Sequence, residues 1–169
     1  MGTEEHRELS AETPVACAVL TVSDTRDETN DWSGRFILEH LRAQGASVSG
    51  YEIVPDDPHT VREKVETLCA SADVVLINGG TGISRRDTTY EAVQAMLEKT
   101  LPGFGEIFRV LSYDDVGPAA MLSRAVAGVY RDTVVFSMPG SLGAVRLAME
   151  KLILPELRHL VWELVRQQR

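Results

Sequence analysis

Hydrophobic positions in this chain gather in short blocks that switch between two periodicities. Val15–Val22 is an almost unbroken apolar run rich in valine, the pattern of a strand covered on both faces. Ser33–Gln44 then spaces Phe36, Ile37, Leu38 and Leu41 as one side of a helix, with Ser33 as a cap and Gly45 as a stop signal. Ser47–Pro55 reads as a strand through Val48, Ile53 and Val54. Pro58–Ala70 reads as a helix through Val61, Val65, Leu68 and Cys69. Asp73–Asn78 is the clearest buried strand and runs directly into a glycine-rich turn.

The second half continues the alternation. Thr88–Leu101 places Ala92, Val93, Met96 and Leu97 on one helical stripe, and Pro102-Gly103 breaks it. Gly105–Leu111 predicts a short helix, and Met121–Ala127 fits helix and strand equally. Thr133–Met138 is a strand ending at Pro139-Gly140-Ser141; Ser141–Leu152 and Pro155–Gln168 are helical. Alternating strands and helices on short links predict an α/β domain with a parallel sheet and helices on both faces. Residues 1–13 lack apolar periodicity and read as a flexible tail, leaving residues 14–169 as a single domain without repeat or linker.

Composition narrows the classes of partner. At 169 residues, 44% hydrophobic and 25% charged, the chain can bury a core as one ordinary domain. Its 17 basic and 25 acidic residues give a net charge of −8, which opposes nucleic-acid binding while leaving room for a local anion pocket. Cys17 and Cys69 sit in apolar runs without metal-ligand spacing and read as small buried hydrophobes. No apolar run approaches the ~20 residues of a membrane helix, and no signal peptide opens the chain, so the expectation is cytoplasmic with no membrane partner.

Ligands of parallel α/β sheets bind at the carboxyl ends of the strands. Four polar segments follow strands here: Ser23-Asp24-Thr25, Pro55-Asp56-Asp57-Pro58, Asn78–Asp87 and Pro139-Gly140-Ser141. In Asn78–Asp87 (NGGTGISRRD), three glycines within four residues let backbone amides approach phosphate oxygens, and Thr81 and Ser84 add hydroxyls. Arg85 or Arg86 would neutralise charge. The segment is neither a dinucleotide fingerprint nor a P-loop, and a purely structural turn remains open. Asp56, Asp57 and Asp87 have two readings as well: carboxylates for Mg²⁺, or helix caps. Asp114-Asp115 reads as a solvated turn, and His6, His40, His59 and His159 have no triad-like setting.

Taken together, seven ordered blocks resemble the MoaB/MogA family of molybdenum-cofactor biosynthesis proteins, closer to its MoaB branch. They are TVSDTR (Thr21–Arg26), Ser33-Gly34, PDD (Pro55–Asp57), NGGTGISRRDTTYEAV (Asn78–Val93), PGFGEIFRVLS (Pro102–Ser112), LSRAVAG (Leu122–Gly128) and PGS (Pro139–Ser141). The resemblance implies a three-layer α/β/α sandwich with a mostly parallel central sheet, assembled as homotrimers or dimers of trimers. It implies Mg²⁺-ATP-dependent adenylylation of molybdopterin, giving adenylyl-molybdopterin and pyrophosphate, with a separate metal-insertion protein acting downstream. On that resemblance Gly79, Gly80, Thr81 and Gly82, with Gly140 and Ser141, would hold the ATP phosphates. Ser23, Asp24 and Thr25 would hold the molybdopterin phosphate, and Asp56 and Asp87 would be catalytic and bind Mg²⁺. Two positions depart from the family pattern: Asn78 stands where threonine is common, and Tyr90 where proline is common. The Tyr90 change is expected to alter helix-start rigidity more than chemistry. A catalytically silent molybdopterin-binding or scaffold member is the alternative.

Overall fold

The computed structural model describes residues 10–165. The strands are β1 (Ala16–Val22), β2 (Ser47–Val54), β3 (Val74–Asn78), β4 (Lys99–Thr100), β5 (Val126–Tyr130) and β6 (Thr133–Met138). The α-helices are α1 (Trp32–Ala43), α2 (Pro58–Cys69), α3 (Thr89–Gln94), α4 (Pro102–Val116), α5 (Leu142–Ala148) and α6 (Leu154–Val165). One six-stranded sheet runs in the order β2-β1-β3-β6-β5-β4. β2, β1, β3 and β6 are mutually parallel, and β5 and β4 add an antiparallel extension.

Alternation along each strand sends its side chains into two cores. Cys17 and Val19, Val74 and Leu76, and Val134, Phe136 and Met138 enter one core with α1, α4, α5 and α6. Ala18, Leu20 and Val22, Val75 and Ile77, and Val135 enter the other with α2 and α3. Strands buried on both faces carry no polar face, which is why their sequences read as continuous apolar runs. The result is the expected α/β/α sandwich. After β1 the chain turns through α1 on one face to β2, then crosses through α2 on the other face to β3. The loops after β1 and β3 therefore diverge and open a crevice between them.

Several elements differ from the pattern reading. The helix expected over Thr88–Leu101 is only the six residues of α3, followed by β4. Glu98 N donates to Val129 O and Leu101 N to Ala127 O, so cross-strand bonds replace the helical ones while Met96 and Leu97 still pack on the core. Pro102 stands at the start of α4 and does not merely break the preceding segment; that helix spans 15 residues, and it contains Asp114 and Asp115, so they are not a turn. The ambiguous Met121–Ala127 segment divides into the end of a 3₁₀ turn (Gly117–Leu122) and the start of β5. Arg131, with φ 52°, turns the β5–β6 hairpin. The two helices expected at the end are joined by a π-helical turn, Met149–Ile153. Pro155 cannot donate a helical amide, and the widened turn accommodates it without ending the helix.

Residues 1–9 of the expected tail, and 166–168 of the last helix, lie outside the described residues. Ser10 is buried, and Arg158 donates to the Thr13 carbonyl, so these two residues are held against the domain while Ala11 and Glu12 are exposed. Cys17 is buried and Cys69 half-buried. Burial foremost pushes their thiols up to about 12 and about 11, and both stay protonated near neutral pH. Among the described residues no helix is long and apolar enough to cross a membrane.

Candidate functional site

The crevice between the β1 and β3 exits is organised by a carboxylate that the pattern reading did not single out. Asp31, wholly buried, accepts from Thr21 Oγ1 at 2.5 Å, Tyr51 OH at 2.7 Å and Gly34 N at 3.0 Å. It, and not the expected Ser33, is the N-cap of α1. Ser33 Oγ instead donates to Gly140 O at 2.8 Å, fixing the loop after β6. A Cβ on Gly34 would lie 2.1 Å from Asp31 Oδ2 and 2.9 Å from Thr21 Oγ1, so only glycine admits this packing. Burial, reinforced by the Asp31 carboxylate, holds the Tyr51 phenol above its ordinary range.

Arg26 extends the network across the crevice. Its guanidinium lies 3.7 Å from Asp31 Oδ1 and donates to Gly140 O at 2.8 Å and to Asn78 Oδ1 at 3.5 Å. Asn78 Nδ2 donates to Thr21 Oγ1 at 2.8 Å. Asn78, the departure noted above, is thus fully buried and bonded through both side-chain ends. The exits of β1, β3 and β6 are held together before any ligand is considered.

The glycine turn crosses this edge. Gly79 (φ 104°) and Gly80 (φ 66°) adopt backbone conformations that side chains disfavour. A Cβ on Gly79 would lie 2.1 Å from Val22 O, and one on Gly80 2.1 Å from Thr89 Oγ1 and 2.6 Å from Asp56 Oδ2. Both glycines are required by loop packing. The structural reading of the turn is therefore correct as far as it goes, and it is compatible with phosphate binding. Gly79 N is already committed to Met138 O at 3.0 Å. The amides of Gly80, Thr81 and Gly82 donate to no acceptor among the described residues.

The loop carboxylates have distinct local duties. Asp57 caps α2, accepting from Thr60 N at 2.8 Å. Asp56 Oδ1 accepts from Thr88 N at 3.2 Å, Thr88 Oγ1 at 2.9 Å and Thr89 Oγ1 at 3.1 Å, so it ties down the start of α3 from across the crevice. Asp87 caps no helix; its Oδ2 accepts from Ser84 N at 3.1 Å and Ser84 Oγ, closing the NGGTGISRRD loop. Asp56 Oδ2 and Asp87 Oδ1 accept no hydrogen bond among the described residues, and both carboxylates flank the turn. No group of three or more His, Cys, Asp or Glu is gathered as a metal cage among those residues. Oxygen-only donors in this number fit Mg²⁺, which keeps waters and shares ligands with phosphates.

Ser23 Oγ accepts from Thr25 N and Arg26 N, each at 3.2 Å, folding the loop after β1 into a tight turn. Asp24 accepts from Asp56 N at 3.1 Å and pairs with Arg86. These two contacts, the amide first, hold its carboxyl below the usual range. Arg86 is thereby engaged, while Arg85 is exposed and pairs with no carboxylate among the described residues.

Beside the turn lies a cavity of about 440 Å³. Gly80, Thr81, Gly82, Asp87, Gly140 and Ser141 form its polar rim, and Phe108, Val116, Ala120 and Leu147 its apolar wall. Ser123 also lines it, and the Ser123 hydroxyl is buried without a hydrogen-bond partner. Asp115 borders it too. Ser23, Asp24, Thr25 and Asp56 do not line this cavity; they stand on the crevice side of the turn. Ser141 Oγ accepts from Ala144 N at 3.3 Å as the N-cap of α5. A second cavity of about 600 Å³, near Gln44 and Arg158, lies apart from all these loops. Pattern reading missed Asp31, Ser123 and Arg124; the S-R pair of LSRAVAG was the only signal for the last two.

A parallel sheet that delivers four polar loops to one crevice, with free amides over a half-apolar cavity, defines an α/β ligand-binding domain. The family described as probable molybdopterin binding domain matches residues 18–159. The chain is 52% identical over 170 residues to Molybdenum cofactor biosynthesis protein B of Bacillus cereus, covering 99% of this chain and 100% of that one. A crystal structure of molybdenum cofactor biosynthesis protein B superposes with a TM-score of 0.88 at 54% identity, covering 91% of this chain and 98% of the other. The tungsten cofactor synthesizing protein MoaB from Pyrococcus furiosus superposes with a TM-score of 0.82 at 40% identity, covering 89% and 97%. The chain belongs to the MoaB/MogA family, on its MoaB side.

Two consequences of this geometry are measurable. Asp31→Ala leaves Thr21, Tyr51 and Arg26 facing an unfilled buried site; chemical denaturation should show a loss of about 3 kcal/mol or more. Asp24 should titrate by NMR below the ordinary carboxylate value of ~3.9. Since its folded-state pKa is lowered, its contribution to stability is full above the unfolded value and disappears as pH falls through the folded one. Arg86→Ala should raise the Asp24 midpoint only part of the way, because the Asp56 amide remains.

Proposed function

We propose that this protein is a molybdopterin adenylyltransferase that uses Mg²⁺-ATP and releases pyrophosphate. The observation that carries this reading is the run of three uncommitted amides, Gly80 to Gly82, beside two carboxylates that each keep a free oxygen. Amides in such a turn form an anion-binding concavity suited to ATP phosphates, with Gly79, Gly140 and Ser141 shaping its edges. Asp56 and Asp87 would hold Mg²⁺ through those free oxygens. When bound, Mg²⁺ offsets charge on the triphosphate and stabilises the leaving pyrophosphate.

Ser23, Asp24 and Thr25 receive the terminal phosphate of molybdopterin, with Arg86 balancing the Asp24 charge. A phosphate oxygen of the pterin then forms a bond to the α-phosphorus of ATP as the bond to pyrophosphate breaks. The protein contributes alignment and charge stabilisation, the main terms in transfers of this type. The apolar wall of the cavity suits a planar heterocycle, and the unpartnered Ser123 hydroxyl suits a polar edge of it.

One observation favours a second reading, a catalytically silent molybdopterin-binding or scaffold member: Asp56 and Asp87 each have a structural duty that would retain them without catalysis. Either form would work in the cytoplasm as a homotrimer or dimer of trimers, handing its product or ligand to a separate metal-insertion protein. The exposed apolar residues Ile107, Val110 and Val116 of α4, with Met121, support self-association.

Purified protein with molybdopterin, ATP and Mg²⁺ should release pyrophosphate. Asp56→Ala and Asp87→Ala should each lower kcat by about 10²–10³-fold while keeping a cooperative thermal transition. Release unchanged in both variants would overturn the catalytic assignment. Pterin binding by a wild type that releases nothing would establish the second reading. Light scattering should give three or six times the mass of one chain; a monomer would refute the assembly.

A further inference from the structure

Arg124 lies outside the residues assigned above, yet it makes more contacts to the glycine-turn loop than any side chain within it. From the segment before β5 its guanidinium donates to Thr81 O at 3.0 Å, to Gly82 O, and to Asp87 O at 3.1 Å. It also pairs with Glu91 of α3 and lies over the Tyr90 ring, 4.9 Å from the centroid. Its side chain is mostly covered, with 24% exposed. One rigid fork thus gathers carbonyls from both ends of the loop and the first turn of the following helix. Lysine, a point charge with no planar fork, could not satisfy the same carbonyls.

We propose that Arg124, seated on Tyr90 and Glu91, is a positioning residue that sets the glycine turn for phosphate binding. Three carbonyl dipoles that would repel a phosphate are drawn onto a cation, leaving the amides of Gly80, Thr81 and Gly82 free at the turn. Tyr90 acquires a role that its place in the sequence did not show: its ring is the platform that fixes the guanidinium plane. The inference rests on reading this turn as the ATP-phosphate cradle.

The test compares wild type with Arg124→Lys, Tyr90→Ala and Tyr90→Phe in the full chain. Three readouts are used: hydrogen exchange over residues 79–88, calorimetric affinity for inorganic pyrophosphate, and KM for ATP and for molybdopterin. Arg124→Lys should speed exchange in that loop, and weaken pyrophosphate binding and raise KM for ATP by about tenfold, with KM for molybdopterin unchanged. Tyr90→Ala should do the same to a smaller degree, and Tyr90→Phe, which keeps the ring, should match wild type. If Arg124→Lys fails to fold, the Tyr90 pair decides alone. Unchanged loop exchange in the folded variants would overturn the clamp, and so would equal shifts in both KM values. A wild type that binds pyrophosphate but adenylylates nothing would sink the transferase reading while exchange and pyrophosphate affinity still judge the clamp.

Discussion

A single buried carboxylate underlies the geometry of this edge of the protein. Asp31 joins β1 through Thr21, β2 through Tyr51, the start of α1 through Gly34, and the loop after β6 through Arg26. A charge withdrawn from water is tolerated only when donors surround it, and here hydroxyls, an amide and a guanidinium converge on it. Satisfying that one group leaves the neighbouring loops little freedom, so the crevice has a defined shape without a ligand.

The same economy of space governs the glycine turn. Gly79 packs against the Val22 carbonyl and Gly80 against Asp56 and Thr89, so the two glycines proposed to serve phosphate binding are needed in any case to bring the loops together. Under the proposed function, structural and binding roles coincide in these residues. The carboxylates behave alike: Asp56 spans the crevice to hold the start of α3, and Asp87 closes its own loop, each with one oxygen and keeping the other. A site built this way is preorganised, since the groups that would meet substrate are held by bonds to neighbouring loops.

Much of this architecture was legible along the chain. The strands β1, β3 and β6 were visible because burial on both faces demands continuous apolar residues, and the edge strand β2 through Val48, Ile53 and Val54 among polar neighbours. The four polar loops were visible because they interrupt those runs. What escaped notice depended on long-range pairing. β4 has two residues, and its apolar neighbours Met96 and Leu97 keep a helical stripe while hydrogen bonds to β5 pull the backbone out of helix. The hairpin turning at Arg131 carries no glycine to announce it. Asp31, Ser123 and Arg124 are ordinary polar residues in sequence; Asp31 and Arg124 matter through partners up to 43 positions away, as in the bond from Arg124 to the Thr81 carbonyl, and Ser123 through the cavity it lines.

The amino-acid order alone established an α/β chain with its polar, glycine-rich segments after strands, and family-specific blocks among them. Periodicity and turn chemistry are local properties, so a linear reading reaches them. The pairing of Asp56 with α3, the commitment of Arg86 to Asp24, the availability of Gly80–Gly82 amides and the clamp at Arg124 were decided only by the tertiary structure. The physical reason is that a hydrogen bond or a desolvated charge acquires its strength from what lies within about 3 Å in space, and parallel crossovers bring together residues that are dozens of positions apart.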